Sequence, residues 1–222
     1  MEHFDFSFGI QYDQFEYYLE PGLQSELNEA YVEEVRASMG TPDHSIEGIK
    51  SICRWFNTNF SFTNEAGRMI GKLTANELYQ KKTYYGCHSA ALMISSLLRE
   101  FGFPALMIET ASIVWANKYR DGTDEGFVGH VMTEVYISEK WILLDNNGSH
   151  VEAYNCLNPF IDMQDQKYLY YKQGLFAYAK GKDIWDYGVR DDSDTHDKMK
   201  EFAENMVCFE DLFGTMDYNW IR

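Results

Sequence analysis

Apolar residues fall at every third or fourth position over several stretches of this chain, the spacing of a helix with one buried side. Leu27, Ala30, Tyr31, Val35 and Met39 share one face of a helix predicted over 24–39, with Glu26, Glu29, Glu33 and Glu34 mostly opposite. Ile46, Ile49, Ile52, Cys53, Phe56 and Phe60 mark a second over 45–60, in which Cys53 reads as a small buried hydrophobe. A short third, over 74–82, is announced by Thr74 with Glu77 three residues on, a capping-box pattern. The fourth spans 87–100 through Cys87, Ala90, Ala91, Ile94, Leu97 and Leu98, and Gly102 and Pro104 stop it. A last helix, over 195–213, runs through Met199, Phe202, Ala203, Met206 and Phe209.

Between these the period changes. The continuous apolar run 105–115 predicts a buried strand with a bend, and the polar stretch 117–126, with Asp121-Gly122 and Gly126, a loop. Two strands follow, 130–138 and 141–146, joined tightly enough to be an antiparallel hairpin, with a turn at Asn146-Asn147-Gly148-Ser149. Beyond that the signals weaken. Residues 162–173 suit a helix, 174–190 show no clean period, and 191–194 read as an acidic cap or loop. Residues 1–22, rich in Phe and Tyr, read as an arm laid on the body. There is no repeat and no linker, so a single domain over 1–222 is expected, of α+β class: helices first, then an antiparallel sheet.

Composition narrows the partners. The formal net charge of −16 repels phosphate backbones, which argues against nucleic acid and tolerates a basic or neutral substrate. The four cysteines form no C-x-x-C pair, and His150 and Cys156 fit no zinc spacing, so no metal or other cofactor is expected. No apolar run reaches the length of a membrane span and the acidic N-terminus lacks a signal-peptide pattern. A cytoplasmic setting with reduced thiols and no membrane partner is the expectation.

Chemistry concentrates at Cys87. A helix N-terminus lowers the pKa of a thiol placed there, and its free N–H groups can hold an oxyanion. Gly86 just before it lets another backbone approach closely. Cys87 also heads an apolar stripe, where an inert core cysteine would stand. Nucleophilic catalysis needs a base and a group to orient the base. His130 opens the first hairpin strand and Asp145 closes the second. A two-residue turn, at Ser138-Glu139 or Glu139-Lys140, puts them on one face. The first turn makes them diagonal neighbours, about 7–8 Å apart in backbone. A three-residue turn would oppose them.

The helix start, GCHSAALMISSLLREFGFPA over 86–105, and the hairpin, GHVMTEVYISEKWILLD over 129–145, together resemble the transglutaminase-like superfamily of cysteine enzymes, whose core is papain-like. The likeness covers about 45–148 in order and spacing. It implies a Cys87–His130–Asp145 triad acting on a peptide or protein substrate through a thioester, by hydrolysis or by transfer to an amine. The alternative is a catalytically silent member that binds a peptide or protein. At the spacing of the papain-type oxyanion glutamine stands Lys81, with Gln80 one residue off and Tyr84 and Tyr85 as other donors. His88 is expected about 100° round the helix from Cys87, as an exposed neighbour. Glu134 reads as a solvated strand glutamate. Trp115 and Trp185 read as core aromatics, and the family places Trp141 there too.

Overall fold

The computed structural model describes residues 5–123, 126, 128–162, 174–213 and 220–221. In chain order it forms α1 (Glu29–Met39), α2 (Ile46–Asn59), β1 (Ser61–Phe62), α3 (Ala66–Met69), α4 (Ala75–Lys81), β2 (Thr83–Tyr84), α5 (Cys87–Glu100) and β3 (Ala105–Ser112). There follow α6 (Ile113–Arg120), β4 (Gly129–Ile137), β5 (Lys140–Leu144), β6 (His150–Val151), β7 (Phe160–Ile161), β8 (Leu175–Gly181) and α7 (Asp192–Phe213). β3 to β8 make one antiparallel sheet in the order β6-β5-β4-β3-β8-β7, while β1 and β2 form a small parallel pair. The fold is α+β, as the sequence predicts.

Local signals account for most helix ends. Ser45 caps α2 by accepting from the Gly48 N–H. Thr74 and Glu77 close both halves of the capping box on α4. Gly86, at φ 116°, turns the chain sharply into α5, and Gly102, at φ 86°, turns it out. The hairpin turn is the two-residue one at Ser138-Glu139, with both residues left-handed at φ 50° and 61°. That is the conformation whose twist suits a tight hairpin. It sets the register Ile137↔Lys140 to Thr133↔Leu144.

Other boundaries were decided at long range. The first helix starts at Glu29, not at 24, capped by Asn28. Gln24 and Ser25 instead donate their N–H groups to the buried Asp183 carboxylate, a partner about 160 residues away that helix-forming periodicity ignores. The strand expected over 105–115 ends at Ser112, whose hydroxyl accepts from the Trp115 N–H and starts α6. That helix, about two turns long, runs to Arg120 and takes the first residues of the predicted loop. Residues 175–181 form a strand buried on both faces, which explains why no alternation shows there. The helix expected over 162–173 lies, from 163 on, outside the described residues. In α7 the stripe residues Met199, Phe202 and Ala203 are buried.

α5 is the hub. Ala91, Met93, Ile94, Leu97 and Leu98 are buried between α2, which supplies Ile49, Ile52, Cys53 and Phe56, and the sheet, which supplies Ala105, Met107, Val131 and Val135. The opposite sheet face carries Ile108, Met132, Leu143, Leu175 and Ala177. Across that face runs the N-terminal arm, where Tyr12 and Tyr18 pack, with Tyr136 of β4, on Trp141 and Phe15 stacks on Tyr136.

Glu134 corrects the sequence reading. It is fully buried, on the sheet face away from α5, with Oε1 2.6 Å from Lys180 Nζ. Tyr12 and Tyr154 donate their hydroxyls to the same carboxylate. Period-two alternation cannot reveal this, because the compensating cation comes from β8. Breaking a buried pair strands the remaining charge. Glu134→Ala should lower the stability measured by urea unfolding by roughly 3–5 kcal/mol, and Glu134→Leu with Lys180→Met by much less. A loss below about 1 kcal/mol for the single variant would show that Lys180 finds other compensation.

Candidate active site

Three elements deliver the side chains. α5 begins at Cys87 with no side-chain cap, so the first-turn N–H groups are not claimed by a capping residue. His130 is the second residue of β4, and Asp145 follows the last residue of β5. The turn after Asp145 is stiff: the Asp145 N–H bonds to Ser149 O at 2.8 Å, and the Gly148 N–H to Asp145 O at 2.8 Å. Asn146 ties the elements together, donating its amide to Val131 O at 3.1 Å and to Cys87 O at 3.4 Å.

The structure brings Cys87, His130 and Asp145 together. His130 Nε2 lies 2.7 Å from Asp145 Oδ1, and the Asn146 N–H also donates to that oxygen, at 2.8 Å. With Nε2 committed to Asp145, Nδ1 is the ring nitrogen left to serve Cys87, whose thiol hydrogen-bonds with His130. Cys87 is half-buried.

Burial penalises charge on all three groups, yet the charged forms prevail. Burial raises the Cys87 thiol, but hydrogen bonds and positive charge from His130 and His88 outweigh it and bring the pKa down to about 5. Burial disfavours the His130 imidazolium, but the hydrogen bonds and charges of Asp145 and Cys87 raise it to about 10. Burial likewise pushes Asp145 up, and its bond to His130 pulls it below the usual carboxylate range. Thiolate, imidazolium and carboxylate thus stabilise one another in a line.

His88 differs from expectation. It is buried, at 8% exposure, and its Nδ1 sits 3.9 Å from Cys87 Sγ. Its Nε2 lies 2.9 Å from Glu109 Oε1 on β3, ion-pair distance though out of line for an ideal hydrogen bond. The helical angle between neighbours fixes where Cβ points, not where a long ring folds back, and a buried carboxylate on β3 draws the ring inward. Asn146, Glu109 and His88 escape sequence reasoning because each acts through a partner from another element. The glutamine alternative for the oxyanion finds no support: Gln80 donates to Tyr31 OH at 2.7 Å, at an exposed site. Tyr84 packs on Phe56 and Phe62. Among the described residues, no group of His, Cys, Asp and Glu side chains is arranged to hold a metal ion, and no helix is long and apolar enough to cross a membrane.

Comparison with known proteins agrees with this architecture. A candidate cysteine protease from Cytophaga hutchinsonii has a similar structure, with a TM-score of 0.54 at 15% identity, over 81% of this chain and 50% of that one. At that identity the likeness is one of fold. A second solved structure, described as a TGase, aligns at a TM-score of 0.36 and 11% identity over 76% of this chain and 45% of its own. The chain spans about half the length of these two proteins. No curated protein matches significantly in sequence. The model of the transglutaminase-like superfamily core matches residues 30–146, more than half of the chain and all of the site's elements from α5 to Asp145, and the chain therefore belongs to the transglutaminase-like superfamily.

Proposed function

We propose that this chain is a cysteine-dependent acyl-transfer enzyme acting on an amide or peptide bond, with Cys87 as nucleophile, His130 as base and acid, and Asp145 as the group that orients His130. The observation that carries this reading is the 2.7 Å contact from His130 Nε2 to Asp145 Oδ1, made beside a thiol at an uncapped helix start.

The chemistry follows from the resting charges. Cys87 Sγ, already a thiolate, adds to the substrate carbonyl carbon. The carbonyl oxygen becomes an oxyanion and takes hydrogen bonds from N–H groups at the start of α5, the Cys87 N–H first among them. The C–N bond then breaks, and the departing nitrogen takes the proton from His130 Nδ1. A thioester and a neutral imidazole remain. Water, or a second amine, gives a proton to His130 as its lone pair attacks the thioester. The C–S bond breaks, the acyl group leaves, and the thiolate–imidazolium pair is restored. Asp145 holds the ring in one tautomer and favours its charged form at each stage. A half-buried Cys87 suits a peptide or protein segment laid across the helix start, and free thiols suit a reducing, cytoplasmic setting.

Two measurements test the reading. An ordinary thiol near pKa 8.5 is about 0.3% thiolate at pH 6, whereas one at about 5 is mostly thiolate. The gain in thiolate is a few hundredfold. Lower intrinsic nucleophilicity takes back a factor of about thirty. Iodoacetamide should therefore label Cys87 about ten times faster at pH 6 than it labels an ordinary thiol, with a rate that is flat from pH 6 to 8 and falls only as pH drops through about 5. Labelling that rises steadily to pH 9 would sink the activated nucleophile.

Second, wild type incubated with a peptide and amine library should carry an acyl mass on Cys87, and Cys87→Ala none. His130→Ala should slow its formation by about 10²–10⁴-fold. Unchanged cellular function in Cys87→Ala would favour the binding-module reading.

A further inference from the structure

Cys87 touches a second histidine that the three-residue mechanism does not use. His88 Nδ1 lies 3.9 Å from Sγ, on the ring whose Nε2 is 2.9 Å from Glu109 Oε1. Glu109 is wholly buried, and among the described residues His88 is the cation within ion-pair reach of it. Two tyrosine hydroxyls hold that carboxylate. Tyr178 of β8 donates to Oε2, and Tyr187 donates to Oε1 at 3.1 Å. Hydrogen bonds donated to a carboxylate favour its ionised form. The unpaired alternative, a buried carboxylate beside a neutral ring, leaves a charge without compensation.

We propose that His88 is a second catalytic histidine, a standing imidazolium that stabilises the Cys87 thiolate whatever the protonation state of His130, with Glu109 as its positioning residue. This rests on the reading of Cys87 as nucleophile. His88 neither gives nor takes a proton in the cycle. Its part is electrostatic and falls at two moments: before attack, when Sγ must be anionic, and in deacylation, when the C–S bond breaks and Sγ leaves with the electron pair. At the second moment His130 has just taken a proton from water, so the departing thiolate is met by positive charge on both sides.

The groups around His88 and its partner Glu109 support a fixed charge. They are Cys87 on its own helix, Glu109 on β3, Tyr178 on β8, Tyr187 beyond it, and Tyr85 ahead of α5, which with His88 and Gln24 lines a cavity of about 10 Å³. That volume is about enough for one water. Burial disfavours the His88 imidazolium, but the charge of Glu109 outweighs it, so the ring stays protonated until about pH 10. Glu109 is held low by the same contact and the tyrosine bonds.

The test is the midpoint of the Cys87 alkylation–pH curve, which is independent of intrinsic reactivity. His130→Ala should keep a midpoint at least one unit below an ordinary cysteine, about 8.5. His88→Gln should raise the midpoint of the His130→Ala protein by one unit or more, which is a tenfold or greater fall in thiolate fraction at acid pH. Because His88→Gln strands Glu109, the paired variant His88→Gln with Glu109→Gln, which leaves no buried charge unbalanced, is measured beside it. Glu109→Gln alone, with His88 intact, should also raise the midpoint and should make the His88 ring titrate in NMR spectra below pH 8. If His88→Gln and the paired variant leave the midpoint unchanged in the His130→Ala background, His88 has only a structural role. If wild-type Cys87 itself titrates as an ordinary thiol, it is the nucleophile reading that fails.

Discussion

The seating of α5 on the sheet is the constraint from which the site follows. A helix start can polarise a thiol, but only if the helix is held against the groups that will share its charge. Here apolar side chains on two sides of α5 meet α2 and the β3–β4 surface, with Ala91, Met93, Ile94 and Leu98 fully or almost fully buried. Burial of several such side chains contributes on the order of 10 kcal/mol before entropy is counted, far more than any polar contact at the site. The polar groups therefore do not decide where α5 lies. They occupy the end of a helix that the core has already placed.

Once α5 is seated, its first turn meets polar groups from three strands. β3 brings Glu109, β4 brings His130, and the turn after β5 brings Asp145. Each carboxylate is paired with a histidine and each histidine reaches Cys87. The two arms differ in solvent access. His130 and Asp145 are each partly exposed, which suits the proton exchange proposed for them. His88 and Glu109 are closed off by Tyr178 and Tyr187, as a fixed charge should be. Among the described residues charge is also kept inside this protein at Glu134–Lys180, at Asp183 and at Arg99, and in each case hydrogen bonds satisfy it.

Some of this is legible residue by residue. The bounds of α5 and α4 were readable because capping signals and helix-stopping glycine act within a few residues. The meeting of His130 and Asp145 was readable because a two-residue turn at Ser138-Glu139 sets the parity of the whole hairpin. The start of α1 and the helix after Ser112 were not. An apolar run alone does not distinguish strand from helix, and Gln24 and Ser25 give up helical structure for a carboxylate that the chain supplies only at Asp183.

The sequence by itself determined the family, the α+β class, the helix that carries Cys87 and the order Cys87, His130, Asp145, because these rest on local periodicity, turn chemistry and motif spacing. Tertiary structure alone decided which polar side chains are buried and with whom. Glu109 is an ordinary strand residue until His88, Tyr178 and Tyr187 converge on it from α5, β8 and the segment beyond. Glu134 is another until Lys180 crosses the sheet to meet it. A buried charge is tolerated only where distant elements bring it a partner, and no pattern along the chain records that meeting.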